Sequence, residues 1–178
     1  MTSLHRRRFV SAALLLPFAP HVLAQSCGPS TPRQTEGPFF KTNSPQRISL
    51  VEGRAANLVV TGHVLDKDCK PVANALLDFW HADENGDYDN AGFRYRGHQF
   101  TDAQGRYRLE TIVPAEYPGR ARHIHVKAQA PHRSVLTTQL YFPREPRNRT
   151  DGIFDASLLM AVRRAGNGRR AAFRFVLS

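Results

Sequence analysis

The chain of 178 residues has few of the local signatures by which enzyme classes are told apart. It has no Gly-x-Ser-x-Gly elbow and no glycine-rich phosphate loop, which removes the elbow-type serine hydrolases and the P-loop nucleotide hydrolases. No internal repeat or sustained heptad is present, so solenoids and coiled coils are excluded. No apolar run reaches the ~20 residues of a membrane-spanning helix. The longest, starting at Ala12, is broken by Pro17 and Pro20. Asp83-Glu84-Asn85-Gly86-Asp87 has the composition of a calcium loop. Its glycine is misplaced for an EF-hand, and no glutamate closes the loop at the required distance. It reads instead as the turn that presents Tyr88. Cysteine is scarce, with only Cys27 and Cys69. In an oxidising compartment the pair reads as one disulfide tying an N-terminal arm to the Asp66–Pro71 turn, with two free thiols as the alternative.

Acidic residues are also in the minority, 15 against 25 Lys and Arg. The surplus is scattered and no nucleic-acid motif accompanies it, so a nucleic-acid partner is not expected, whereas small anionic aromatic acids would be attracted. Arg163-Arg164 and Arg169-Arg170 read as a solvated helix end and a loop. Residues 1–24 read as an export signal, with a basic start (Arg6-Arg7-Arg8), a short apolar stretch and small residues at Val22-Leu23-Ala24. Arg-Arg-x-Phe-Val further suggests the twin-arginine route. The expected location is therefore periplasmic or secreted, with no stable membrane insertion. An oligomer is left open.

Residues 25–56, rich in Pro, Ser, Thr and Gly, read as an extended arm, and 57–178 as one domain. Strands are expected at Leu58–Leu65, Val72–Trp80, Arg106–Glu110, His123–Ala130, Val135–Phe142 and Ala171–Leu177, where apolar residues alternate or cluster between turn residues. Asp155–Arg164 is the one helix candidate, with an aspartate cap and arginines in its last turn. Short strands at this spacing predict an all-β fold, an antiparallel sandwich with long loops and one short helix.

The most informative stretch is Tyr117-Pro118-Gly119-Arg120-Ala121-Arg122-His123-Ile124-His125. On a strand, His-x-His points both imidazoles to one face and sends Ile124, Val126 and Ala128 to the other. Neutral imidazoles suit zinc, copper, iron or nickel. A phenol with an ordinary pKa of ~10 joins them as phenolate only under a strong Lewis acid, which favours Fe(III). Taken singly, Tyr117 reads as a packing tyrosine, and each histidine as a polar strand residue about as readily as a ligand. His63, His81, His98 and His132 have no partner at ligand spacing and read as structural or exposed. Trp80 reads as core.

The ordered set Thr35-Glu36-Gly37-Pro38-Phe39-Phe40, Trp80 to Tyr88, Arg96-Gly97, Thr101-Asp102-x-x-Gly105-x-Tyr107, Tyr117-Pro118, Arg120-x-x-His123-x-His125 and Gln139-Leu140-Tyr141-Phe142 resembles the intradiol ring-cleavage dioxygenases. That resemblance implies a transthyretin-like sandwich and one non-haem Fe(III) per chain, held by Tyr88, Tyr117, His123 and His125. It implies cleavage of a catechol by O2 between its two hydroxylated carbons. It makes Tyr117 a base as well as a ligand, places Arg120 against the ring, and puts Gln139 near the iron. Two rivals are a copper or zinc site on the same ligands, and a non-catalytic exported transthyretin-like binding module in which these residues serve structure.

Overall fold

Among the described residues there are eight strands: β1 Leu58–Asp66, β2 Leu76–Trp80, β3 Arg96–Phe100, β4 Arg106–Thr111, β5 His123–Gln129, β6 Leu136–Tyr141, β7 Ala161–Ala165 and β8 Gly168–Leu177. The computed structural model describes residues 27–178 except Arg54, so the expected export signal lies outside the described residues. The strands form two four-stranded sheets, ordered β4-β1-β8-β7 and β3-β2-β5-β6. Period-two alternation dictates the packing. Leu58, Val60 and Val64 of β1, Leu109 of β4 and Phe175 of β8 meet Leu77 and Phe79 of β2, Ile124, Val126 and Ala128 of β5 and Leu140 of β6 in one core. Each large apolar side chain buried there contributes roughly 1.5–3 kcal/mol. The expected all-β sandwich is what forms, and the inward face assigned to Ile124, Val126 and Ala128 holds.

Three expectations are corrected. The sandwich is not wholly antiparallel, because β8 runs parallel to β1, with Ala171 opposite Val60. Alternation within a strand carries no information about its neighbour's direction. The helix expected over Asp155–Arg164 does not form. Asp155 does cap a turn, accepting from the Ser157 N–H at 2.8 Å, but that turn is a single 3-10 turn over Ala156–Leu158. The chain then extends as β7 and pairs with β8. The exposed edge of β8 offers a ladder of unpaired backbone groups, and pairing with it outweighs the local helix signals. In consequence Arg163 and Arg164 are strand residues directly opposite Arg170 and Arg169, not a helix end facing a loop. Cys27 and Cys69 are joined in a disulfide, with Cα atoms 5.3 Å apart.

The arm runs over both sheets without joining either as a strand. Thr31 N–H donates to Val176 O at 2.9 Å, Gln34 N–H to Thr137 O at 2.8 Å, and Leu50 N–H to Glu110 O at 2.8 Å. Its path takes Thr35–Phe40 across the outer face of β5 and β6. Among the described residues no helix is long and apolar enough to cross a membrane.

Candidate metal centre and active site

β5 is a central strand with its Ile124, Val126 and Ala128 side locked into the core, so His123 and His125 must face outward together. Trp80, the last residue of β2, is in register with His125, and the two rings stack at 4.7 Å and 5°. Trp80 is buried, as expected, and it forms the floor behind one imidazole.

Tyr88 reaches the same spot through the loop after β2. The buried Asp83 carboxylate holds that loop, accepting from the N–H groups of Asn85 at 2.8 Å and Asp87 at 3.0 Å and from the Arg94 guanidinium at 2.9 Å. This is the turn the sequence suggested. Tyr117 arrives on the loop before β5, bent by a Pro-Gly turn in which Arg120 N–H donates to Tyr117 O at 2.8 Å and Gly119 has φ +80°. The two tyrosine loops are tied together. Ala115 N–H donates to Asp83 O at 2.9 Å. Gly86, at φ +93°, lies so close to Glu116 that an added Cβ would sit 2.5 Å from its carbonyl oxygen.

All four expected ligands come together. The Tyr88 hydroxyl is 3.4 Å from His123 Nε2, and that nitrogen is 3.0 Å from His125 Nε2. The Tyr117 ring stands edge-on to Tyr88 with centroids 5.8 Å apart. His123 Nδ1 donates to Ala121 O at 2.6 Å, which leaves Nε2 as a bare lone pair aimed inward. Burial pushes His123 down to about 4 and His125 well below the ordinary histidine value, so both imidazoles are neutral at pH 7. Burial also pushes the Tyr88 phenol well up, opposed by Arg120 and Arg96. Such a phenol ionises in this setting only against a strong cation. Among the described residues no three histidine, cysteine or acidic side chains gather elsewhere as a metal cage. The donor set is thus two imidazoles and two phenols, and it fits a hard trivalent ion such as Fe(III).

The remaining expected residues border this cluster. Gln139 is opposite His125 in register. Its Oε1 accepts from Arg120 Nη2 at 2.6 Å, and its Nε2 donates to Thr35 O at 3.0 Å. Arg120 is half-buried and forms an ion pair with Asp151 at 3.0 Å. Among the described residues the other four histidines, His63, His81, His98 and His132, stay outside the cluster. His81, for instance, is buried between Thr111 Oγ1 and Ala82 O at 2.7 Å each.

Four further residues shape the site without having been picked out by sequence reasoning. Phe39 stacks on Tyr88 at 4.3 Å and meets Tyr117 edge-on at 5.3 Å, capping both phenols from the arm. Arg96 is fully buried. It donates from Nε to Asp89 O at 3.1 Å and from Nη1 to Phe39 O, and its guanidinium carbon lies 6.0 Å from the Tyr88 ring centroid. Tyr141 donates to Gln139 Oε1 at 3.0 Å. Asp151 lies in an irregular loop far along the chain. Only the motifs holding Phe39, Arg96 and Tyr141 were visible beforehand, without a role for any of them.

Ser44, His98 and Asp78 have the composition of a hydrolytic triad in the wrong order. The Ser44 hydroxyl donates to Asp78 Oδ1 at 2.8 Å; His98 Nδ1 lies 3.2 Å from that hydroxyl but donates to Ser44 O at 2.7 Å, so the nearby nitrogen carries a proton and has no lone pair with which to activate the hydroxyl.

Comparison with known proteins agrees with this geometry. The Dioxygenase family profile matches residues 35–175. The protocatechuate 3,4-dioxygenase beta chain of Burkholderia cepacia is 34% identical over 139 residues, covering 68% of this chain and 59% of that protein. Catechol 1,2-dioxygenase 2 of Acinetobacter lwoffii is 32% identical over 165 residues, covering 76% and 60%. The chain thus spans about three fifths of the length of these curated relatives. Among solved structures, the dioxygenase domain of a dioxygenase carbohydrate-binding protein fusion from Streptomyces sp. SirexAA-E superposes with a TM-score of 0.82 at 60% identity, covering 84% of this chain and 99% of that one. Sequence motifs, fold and the gathering of two phenols with two imidazoles lead to one assignment: the chain belongs to the intradiol ring-cleavage dioxygenase family.

Proposed function

We propose that this protein cleaves a catechol-type ring between its two hydroxylated carbons with O2, yielding a muconate-type dicarboxylate, at a non-haem Fe(III) held by Tyr88, Tyr117, His123 and His125. The observation that carries this reading is the convergence of the Tyr88 hydroxyl, 3.4 Å from His123 Nε2, with His125 Nε2, 3.0 Å from that same nitrogen, beside the Tyr117 ring. The bound ferric ion supplies Lewis acidity and a template for the catecholate.

The protein side chains do the rest. His123 and His125, fixed on a core strand, hold neutral lone pairs in place. The Tyr117 hydroxyl forms no hydrogen bond among the described residues, whereas the Tyr88 hydroxyl contacts His123. Tyr117 is therefore the less restrained phenol and the one suited to accept a catechol proton. The Arg120 guanidinium offers a fixed positive charge beside the ring, which favours the dianionic catecholate and the negative charge that builds on the carbon to be attacked. Gln139 holds Arg120 against β6, and Phe39 keeps water from the phenol faces.

The relatives act on protocatechuate and catechol, so a panel of these and of bulkier catechols is the direct assay. Oxygen uptake with formation of a ring-opened diacid by the iron-loaded protein is expected, together with a visible phenolate-to-iron absorption band. A colourless protein that binds iron no better than buffer would remove the reading. We further propose that the chain is exported. The Cys27–Cys69 disulfide supports this, since such bonds persist in oxidising compartments. Fractionation of the native host tests it.

A further inference from the structure

The Arg120 guanidinium has five N–H donors in a rigid plane. Nε sits between both oxygens of Asp151, at 3.1 and 3.0 Å. Nη2 donates to Gln139 Oε1 at 2.6 Å and to the Tyr141 hydroxyl at 3.2 Å. Nη1 has no hydrogen-bond partner among the described residues. The anchor is itself anchored: Asp151 Oδ2 accepts from the Ala121 N–H at 2.8 Å, and Oδ1 accepts from the Ile153 N–H at 3.1 Å. The Asp151 side chain is 1% exposed and that of Arg120 is 21% exposed, so the carboxylate lies beneath and the guanidinium toward the opening.

We propose that Asp151 is a positioning residue for the ring-cleavage reaction, clamping Arg120 by Nε so that Nη1 is the donor left for the bound catecholate. The inference rests on the proposed function, which gives Arg120 its place beside the ring. A free arginine side chain carries about 2 kcal/mol of rotamer entropy. The clamp removes that freedom before substrate arrives, which is preorganisation of the kind that favours the transition state over the ground state. The geometry also divides the work. Gln139 and Tyr141 fix the far edge of the guanidinium plane from β6, and Asp151 fixes its near edge from a loop 31 residues away in sequence. With two edges held, the guanidinium plane cannot turn about the Cδ–Nε bond. Asp151 also balances the Arg120 charge beside two neutral imidazoles, so the remaining donor acts by direction more than by bare charge.

The test is a double-mutant cycle on the iron-loaded full chain, using Asp151→Asn, Arg120→Ala and the double variant. Oxygen uptake gives kcat and KM, and titration with 4-nitrocatechol followed by visible absorption gives a readout independent of turnover. Asp151→Asn keeps one acceptor oxygen, which can serve only one of the two backbone N–H groups, of Ala121 or Ile153. It is expected to hold iron with an unchanged phenolate band, to lose on the order of 10²-fold in kcat, the cost of a misplaced catalytic group, and to weaken 4-nitrocatechol binding. In the Arg120→Ala background the same substitution should change kcat/KM by less than about 2-fold. Asp151→Glu, which keeps the charge, should recover part of kcat and serves as the second variant where Asp151→Asn folds poorly. An equal loss with and without Arg120, or a loss of iron with the fold intact, would make Asp151 a general structural residue and overturn the assignment. A wild-type protein that consumes no oxygen with any catechol would sink the proposed function itself. An active wild type with additive losses would sink only the clamp.

Discussion

Replacing Gly86 by alanine tests how tightly the two phenol-bearing loops are held together. Gly86 has φ +93°, and a Cβ there would lie 2.5 Å from Glu116 O. Two costs add. A left-handed backbone with a Cβ costs roughly 1–2 kcal/mol, and forcing atoms into a packed site typically costs 1–3 kcal/mol. The obstructing atom is backbone, so no side-chain rotation relieves it; the segments carrying Tyr88 and Tyr117 must separate. The expected loss is about 2–5 kcal/mol, and at roughly 2–4 °C per kcal/mol for a domain of this size the midpoint should fall by about 4–20 °C. Gly166→Ala is the control. Its φ is +56° and a Cβ there meets nothing within 4 Å, so it carries the backbone cost without the clash. It should lose only about 1 kcal/mol. Thermal melts of the metal-free proteins measure both. Iron per chain after reconstitution then reads the site, and Gly86→Ala should fall short where Gly166→Ala does not. Equal melting points for the two variants, with full iron in each, would refute the idea that this contact sets the tyrosine spacing.

His125→Ala should abolish iron binding by elemental analysis, because it removes one of only two nitrogen donors. Tyr117→Phe should retain iron but slow catecholate loading in stopped-flow absorbance; unchanged loading would remove Tyr117 as the base. Replacing both cysteines with serine should lower unfolding free energy in denaturant by about 4 kcal/mol, the chain-entropy value for a sequence separation of 42. A loss under 1 kcal/mol would show the arm to be anchored by its hydrogen bonds instead. His81 provides a pH test. Burial lowers its pKa to about 4 in the folded protein, against ~6.5 unfolded, so its contribution is complete above pH 6.5 and is lost as pH falls toward 4. The loss amounts to about 3 kcal/mol. His81→Gln should make the stability–pH curve shallower across that window in denaturant titrations of the metal-free protein, leaving the slope that the buried His123 and His125 contribute.

The strand bearing His123 and His125 was legible because two alternating sets coincide on it, with the two imidazoles on one face and Ile124, Val126 and Ala128 on the other. The tyrosines were legible only as members of an ordered set, since nothing local separates a ligand phenol from a packing phenol. β3 was missed because Arg96-Gly97-His98-Gln99-Phe100 has no apolar alternation; it is held between β2 and the arm, where Arg47 N–H donates to His98 O at 2.8 Å. β7 was misread because an aspartate cap and arginines at the end imitate a helix, and edge pairing is invisible to a local window. Asp151 could not be found by spacing at all. Its link to Arg120 spans two loops whose approach is fixed only by the sandwich between them.

That distribution has a mechanical meaning. The two imidazoles share one strand, so they cannot move relative to each other without disturbing the core beneath them. The two phenols sit on loops that touch through Gly86 and Glu116, and the arm covers both through Phe39. The site is therefore rigid on its nitrogen side and adjustable on its oxygen side. Tyr117 is the more adjustable of the two, having no hydroxyl partner among the described residues, while Tyr88 is pressed under Phe39 and beside Arg96. In the proposed reaction a ligand that also serves as a base needs that freedom, and a ligand that keeps the ion in place needs the opposite. The fold supplies both by placing one phenol in a loop braced by Asp83 and the other just before a Pro-Gly turn.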